Sequence, residues 1–264
     1  MQNVAVQSRL EVLPNIIVVN KPAGLPTTYR NETDTSDCLM KRVSQQHPEI
    51  SSIKGHRPKD GGLIYRLDND TSGIVLFARN QKTFDRLTEA QNDNRLAKYY
   101  YAICEITEQF STKLHVKQTL SVIPEEKYSI GQLPESFVEM LKCPQENLDI
   151  PTKSPAEFSI ITCPIGHSRK NSRKMIAIKN KRFKSRGKPR PAKTYVREIC
   201  RKENLALIEA IITKGSRHQI RIHLDTLGLK IPGDNLYNVK SQLKPSPQRM
   251  FLHCGKVVLL RSHL

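Results

Sequence analysis

The sequence predicts an α+β fold, a largely antiparallel central sheet flanked by a few helices. Segments of strand character outnumber those with helical spacing, and many neighbours are joined by short turns. No fixed-period repeat is visible. A chain of 264 residues can bury a substantial core, and we expect one domain over residues 1–264, divisible into two subdomains.

The elements follow in order. Ile16 to Val19 is an apolar run of strand length, stopped by Asn20, Lys21, Pro22, Ala23 and Gly24. Leu39, Met40 and Val43 suggest one short helix in a polar stretch. Leu63 and Ile64 lead into a polar turn, Arg66 to Gly73, and then into an apolar strand, Ile74 to Ala78. Phe84, Leu87, Ala90 and Gln91 recur at helical spacing, which predicts a helix over Gln81 to Asp93 with Asn80 as its cap. Lys98 to Ile106 reads as a strand by its aromatic and branched residues. From Thr107 to Pro155 the pattern weakens, with a helical turn at Phe137 to Leu141. Ala192 to Ile199 and Leu205 to Thr213 are strands of one sheet. Gln219 to Leu227 carries apolar residues at 220, 224 and 227, a helix ended by Gly228.

With 43 Lys and Arg against 25 Asp and Glu, the net charge is +18, enough to gather polyanions. Nucleic acid is the natural partner. A membrane surface is disfavoured, since no long amphipathic helix and no apolar run of about 18 residues occur. No secretory leader is recognisable, so a cytoplasmic protein is expected, and a monomer. The cysteines at 38, 104, 143, 163, 200 and 254 form no C-x-x-C pair, and the histidines form no H-E-x-x-H cluster. We expect reduced thiols, no metal and no cofactor.

The charge is concentrated. His167 to Arg190 holds 11 Lys and Arg and no acid. Met175, Ile176, Ala177 and Ile178 interrupt it with an apolar strand, which favours an ordered hairpin. Lys179, Lys181, Arg182 and Lys184 are the candidate phosphate contacts, the alternative being a solvated basic loop.

The turn Arg66-Leu67-Asp68-Asn69-Asp70-Thr71-Ser72-Gly73 packs carboxylates, an arginine and hydroxyls between apolar segments. Such a turn can hold a carboxylate rigidly at a cleft wall. On composition alone the plainer reading is stronger: these are ordinary turn residues, and Asp68 then bonds the turn's own amides. By the same measure Tyr100 reads as a core aromatic, and Arg221 as a partner of Asp225 one helical turn on. His218 and His223 read as helix-surface or hydrogen-bonding residues.

The turn nevertheless resembles the signature R-L-D-x-x-T-S-G of the RluA-type RNA pseudouridine synthases, with Tyr65 where His usually precedes the arginine. Further blocks occur in the family's order. VVNKPAGLP (Val18 to Pro26) resembles its early block, and KYYYA (Lys98 to Ala102) its K-x-Y-x-A block. ITKGSRHQIRIHLDTLGLKIPGDNLY (Ile212 to Tyr237) resembles the G-R-x-H-Q-I-R-x-H-L block and its trailing P-x-x-G-D-x-x-Y, with Ser216 between Gly215 and Arg217, Pro232 directly before Gly233, and Asn238 where glycine often follows. FLHCGKVVLL (Phe251 to Leu260) resembles the closing L-H-A block, with Cys254 for alanine.

The resemblance implies the pseudouridine synthase catalytic fold and an isomerase of uridine in RNA. It implies Asp68 as catalytic carboxylate, with Tyr100 and Arg221 as active-site residues and Arg66 as a wedge into the RNA stack. The family often carries an N-terminal S4-type domain, but these blocks begin near residue 16, so RNA recognition is expected to rest on the catalytic domain and the basic segment. Ribosomal and transfer RNA both stay open as substrates. A non-catalytic RNA-binding or ribosome-associated factor is the alternative that charge alone supports.

These residue types suit the reaction. A free Asp, with a pKa of about 3.9, is ionised at neutral pH and can serve as nucleophile or base. An arginine can steady a carboxylate through two parallel hydrogen bonds. A tyrosine offers a flat face to uracil and a phenol that can relay a proton.

Overall fold

The computed structural model describes residues 15–107, 117–119, 157–180, 182, 184–239, 241, 243 and 247–260. The chain divides into two compact units, one ending at Leu96 and the other beginning at Ala97.

In the first unit β1 (Ile16–Lys21) pairs antiparallel with β2 (Ser72–Ala78), Ile16 opposite Ala78 and Lys21 opposite Gly73. Both strands are buried almost throughout, which explains their continuous apolar runs. Between them lie α1 (Leu39–Gln46) and a 3-10 turn, Pro48–Ser52. Leu39, Met40 and Val43 bury one side of α1, as their spacing predicts. After β2 comes α2 (Gln81–Asn92), capped by Asn80, whose side-chain oxygen accepts from the amide of Thr83 at 2.9 Å. Phe84, Leu87 and Ala90 are its buried face.

The second unit runs β3 (Leu96–Ile106), β4 (Lys117–Thr119), β5 (Glu157–Ile161), β6 (Ile165–His167), β7 (Met175–Ala177), β8 (Arg186–Arg190), β9 (Thr194–Lys202), β10 (Leu205–Ile212), α3 (Gln219–Thr226), β11 (Leu229–Lys230) and β12 (Leu252–Leu259). Its main sheet has the order β12-β3-β10-β9-β5-β4, with β11 against the end of β3. The pairs β3 with β10, β10 with β9 and β9 with β5 are antiparallel. The expected largely antiparallel sheet with few helices is therefore present.

One face of this sheet closes over Ala97, Tyr99, Phe158, Ile211 and Val258. Burial of each large apolar member contributes roughly 1.5–3 kcal/mol. The other face carries α3, which ends at Gly228 in the left-handed conformation (φ 83°) that its glycine permits.

The basic segment is not the simple hairpin expected. It forms a three-stranded sheet of order β7-β6-β8. Its inner residues Ile165, Met175 and Ala177 pack with Ile222 of α3. The edge strand β8 (RGKPR) was not foreseen, since it has no apolar alternation and contains Pro189, which an edge tolerates. The helical turn expected at 137–141 lies outside the described residues.

Candidate active site

Asp68 lies half-buried in the turn between Tyr65 and β2, flanked by the buried Leu67 and Thr71. Residues from the early block hold this turn from below. The ammonium of Lys21, 0% exposed, donates to the carbonyls of Pro22, Leu25 and Asn69 at 2.9, 2.7 and 2.9 Å. The amide of Gly24 donates to the same Asn69 carbonyl at 2.8 Å. Thr27 Oγ1 donates to the carbonyl of Leu67 at 2.7 Å and accepts from its amide at 3.2 Å. Within the turn the Thr71 amide donates to the carbonyl of Asp68 at 3.1 Å.

Lys21, Gly24 and Thr27 thus hold the residues on either side of Asp68, and the Thr71 amide holds its carbonyl. Sequence reasoning matched the block containing Lys21, which ends at Pro26, but missed this holding role and did not single out Thr27. A lysine beside a buried apolar strand, far from any acid in sequence, was the available signal. Tyr65, standing where the family has His, donates its hydroxyl to the carbonyl of Ile74 at 2.9 Å, which secures the far side of the turn.

Arg66 is exposed. Local desolvation and the nearby charge of Arg57 pull its pKa below the ordinary arginine value, partly offset by Asp60 and Asp68. An arginine held at the surface in this way can stack on a base, as the wedge reading requires.

Tyr100 is buried on β3 opposite Ala210 of β10, and Ala210 lies opposite Val196 of β9. Paired residues share a face, as do residues two apart on a strand, so Thr194 lies on the Tyr100 side. The hydroxyl of Thr194 bonds Gln219 at 3.0 Å and His223 Nδ1 at 2.8 Å, both on α3. Tyr100 therefore faces the side of the sheet that carries the helix with Arg221. Tyr99 and Tyr101 point to the opposite face, where burial and then the charge of Glu209 push both phenols up. Among the three consecutive tyrosines, strand alternation selects Tyr100.

Arg221 is 4% exposed and forms a two-toothed pair with Asp234, Nε to Oδ2 and Nη2 to Oδ1, both at 2.7 Å. Its Cζ lies 5.1 Å from the ring centre of Tyr237. Burial alone would raise the Asp234 carboxyl, but Arg221 and the amides of Leu236 and Tyr237 outweigh it and hold the pKa below the usual range. The sequence alternative, Arg221 with Asp225, is not the pairing formed: Asp225 pairs with Lys230. The loop with Gly233 at φ 77° brings Asp234 to α3; a Cβ there would sit 2.1 Å from the Arg249 carbonyl.

Neither histidine of this block lies on a helix surface. His218 is buried and opens α3 with φ 57°, its Nδ1 3.0 Å from the Tyr237 hydroxyl. His223 is fully buried between Thr194 and the carbonyl of Cys163, and burial lowers its pKa.

Of the candidate phosphate contacts, Lys179, Arg182 and Lys184 are exposed, and Lys181 lies outside the described residues. Arg186, Lys188 and Arg190 on β8 add exposed cations that the sequence reading did not single out. Among the described residues no cluster of metal-ligating side chains occurs, and no helix is long and apolar enough to cross a membrane.

A family model described as RNA pseudouridylate synthase matches residues 15–226. The chain belongs to this family. The matched range takes in the Lys21 block, the Asp68 turn, Tyr100 on β3 and all of α3. Among individual synthases, Ribosomal large subunit pseudouridine synthase C of Rickettsia bellii is 26% identical over 252 residues, 93% of this chain and 61% of that protein. A Bacillus subtilis protein named Uncharacterized RNA pseudouridine synthase YhcT is 28% identical over 243 residues, 92% of this chain and 60% of that protein. The chain thus spans about 60% of the length of these relatives. In fold it is similar to human RNA Pseudouridylate Synthase Domain Containing 1, with a TM-score of 0.56 and 18% identity over 95% of this chain and 77% of that one.

Proposed function

We propose that this chain isomerises uridine in structured RNA to pseudouridine, with Asp68 as its catalytic carboxylate. The observation that carries the reading is the Asp68 turn, whose residues on either side, Leu67 and Asn69, are held by Thr27 and Lys21. A carboxylate on a turn held in this way can be presented to a substrate in a fixed position.

In the reaction the C1′–N1 bond of the target uridine breaks, the detached uracil turns, and a C1′–C5 bond forms. A proton leaves C5 and N1 gains one, so atoms balance without redox change. Asp68 acts at the ribose, as nucleophile at C1′ or as base toward a sugar proton. Tyr100 and Arg221, singled out by the family blocks, are assigned to the same reaction, the phenol in proton relay and the guanidinium as a fixed cation.

The target nucleotide must leave its stack, at a cost of a few kcal/mol. Arg66, exposed next to Leu67 and Asp68, is assigned the refilling of the gap. The basic sheet supplies phosphate contacts through Lys179, Arg182, Lys184 and the β8 cations, and Lys181 belongs to the same basic run. Ribosomal large subunit RNA is the first substrate to test, because the Rickettsia bellii relative is named for it.

Pseudouridines mapped in total RNA from cells with the gene, without it, and with Asp68→Asn in its place test the reading. One or more sites should vanish in the deletion and in the Asp68→Asn strain alike. Release of free uracil would instead identify a hydrolytic glycosylase, and an unchanged map would favour a non-catalytic RNA-binding factor.

A further inference from the structure

The basic sheet is fastened to the helix that carries Arg221, and one side chain joins them. Tyr237 follows Asp234 in the loop after β11, and its hydroxyl meets strand β7 at both backbone polar groups of one residue. It accepts from the Met175 amide at 2.9 Å and donates to the Met175 carbonyl at 3.2 Å. The same oxygen lies 3.0 Å from Nδ1 of His218, the residue that opens α3.

A phenol has one proton to give and two lone pairs. With that proton on Met175 O and one lone pair on Met175 N–H, the second lone pair suits a donor. These three bonds are satisfied together when Nδ1 of His218 bears a hydrogen. The ring of the same tyrosine lies 5.1 Å from the Arg221 guanidinium, a cation–π distance, and its own amide donates to Asp234, the partner of Arg221.

Two further links run in parallel. Ile165, Met175 and Ala177 of the basic sheet pack with Ile222, the residue after Arg221. Arg217 donates to the carbonyl of Arg173, next to Lys174, whose Nζ is 5.7 Å from the Tyr237 ring centre. Strand β7 is therefore bonded to Tyr237, and Tyr237 touches both Arg221 and its partner Asp234.

We propose that Tyr237 is a positioning residue that couples RNA held by the basic sheet to the orientation of Arg221. This rests on reading the chain as an RNA-modifying enzyme. Phosphates gripped by the cations around β7 and β8 settle that sheet against α3, and Tyr237 passes the restraint to the guanidinium. The basic sheet then contributes to turnover as well as to affinity.

Tyr237→Phe tests this, because it keeps the ring beside Arg221 and removes the hydroxyl with its bonds to Met175 and His218. On RNA from cells lacking the protein, kcat for pseudouridine formation should fall about tenfold while KM stays within about twofold. A second readout needs no turnover: the Nε–H resonance of Arg221, followed by NMR while a short oligocytidylate, which contains no uridine, is titrated in. Arg221 is only 4% exposed, and the part of its shift that Tyr237→Phe abolishes at equal occupancy reports transmission. The wild-type resonance should shift on saturation and that of Tyr237→Phe should not, at equal oligocytidylate affinity.

Lys179→Gln/Lys184→Gln/Arg186→Gln, changed only at exposed positions, should give less than about half the wild-type shift at matched occupancy. Wild-type kcat and a wild-type resonance shift in Tyr237→Phe would overturn the coupling. So would a loss of RNA affinity with kcat intact, a full shift in the triple variant, or loss of fold in Tyr237→Phe, which would make the hydroxyl a structural anchor only. If the wild-type protein forms no pseudouridine while the resonance behaves as expected, the functional reading fails and the coupling stands.

Discussion

Arg221 and Asp234 are locked side by side by two hydrogen bonds of 2.7 Å, their side chains 4% and 1% exposed. Such a pair is expensive to bury and more expensive to break, because removing one member strands the other's charge. Asp234→Ala should therefore lower unfolding stability by about 3 kcal/mol in urea titrations. The double variant Arg221→Met/Asp234→Leu should recover most of that stability and none of the activity. Recovery of both would make the pair a structural feature without a part in the reaction.

Lys21 offers a second test, since its ammonium bonds three carbonyls of two loops. Hydrogen bonds to a charged group contribute roughly 1.5–3 kcal/mol each, though not additively. Lys21→Met should lower kcat by at least about tenfold, leaving RNA affinity within about twofold, because the turn under Asp68 loosens while the basic sheet is untouched. Equal kcat in the two proteins would show that the turn holds its shape without the ammonium.

Lys98 gives a pH signature. Burial is the main cause that lowers its pKa from 10.5 to about 8, with Cys254 acting in the opposite sense. Because the folded value lies below the unfolded one, the unfolded chain binds more protons between those values, and stability rises with pH across that window. Relative to Lys98→Met, the wild-type protein should gain up to about 3 kcal/mol between pH 8 and pH 10.5, with the full penalty below pH 8. A stability difference that stays flat over that range would show that Lys98 is not desolvated as described.

Much of the fold was legible where one physical signal dominated. The apolar runs of β1 and β2, the Asn80 cap of α2 and the Gly228 stop of α3 follow from local chemistry and appear as expected. Helix α3 was legible as a helix but not as a buried one. Gln219, Arg221 and His223 break its apolar pattern, and they are buried because Thr194, Asp234 and Cys163, distant in sequence, satisfy them. Strand β8, with its charges and Pro189, carries no alternation to read. In the site, Asp68, Tyr100 and Arg221 could be named only through family blocks. Local spacing offered Arg221 the wrong acid, because the path of the loop through Gly233 decides the partner.

The basic sheet should reveal itself in salt. Replacing Lys179, Lys181, Arg182 and Lys184 by glutamine removes up to four cations that can meet phosphates, and the plot of log K against log[salt] should flatten by about 0.7–0.9 for each one that does. An unchanged slope would move the RNA-binding surface elsewhere on the chain.

The most direct measurement follows tritium placed at C5 of uridine in RNA from cells lacking the protein, since C5 loses its hydrogen when the base is reattached through carbon, and no methyl donor is added. Purified wild-type protein should release tritium into water, and Asp68→Asn and Asp68→Ala should release less than about one part in a thousand of that rate while retaining RNA affinity. Release by Asp68→Ala at the wild-type rate would contradict the assignment of residue 68 as the catalytic carboxylate.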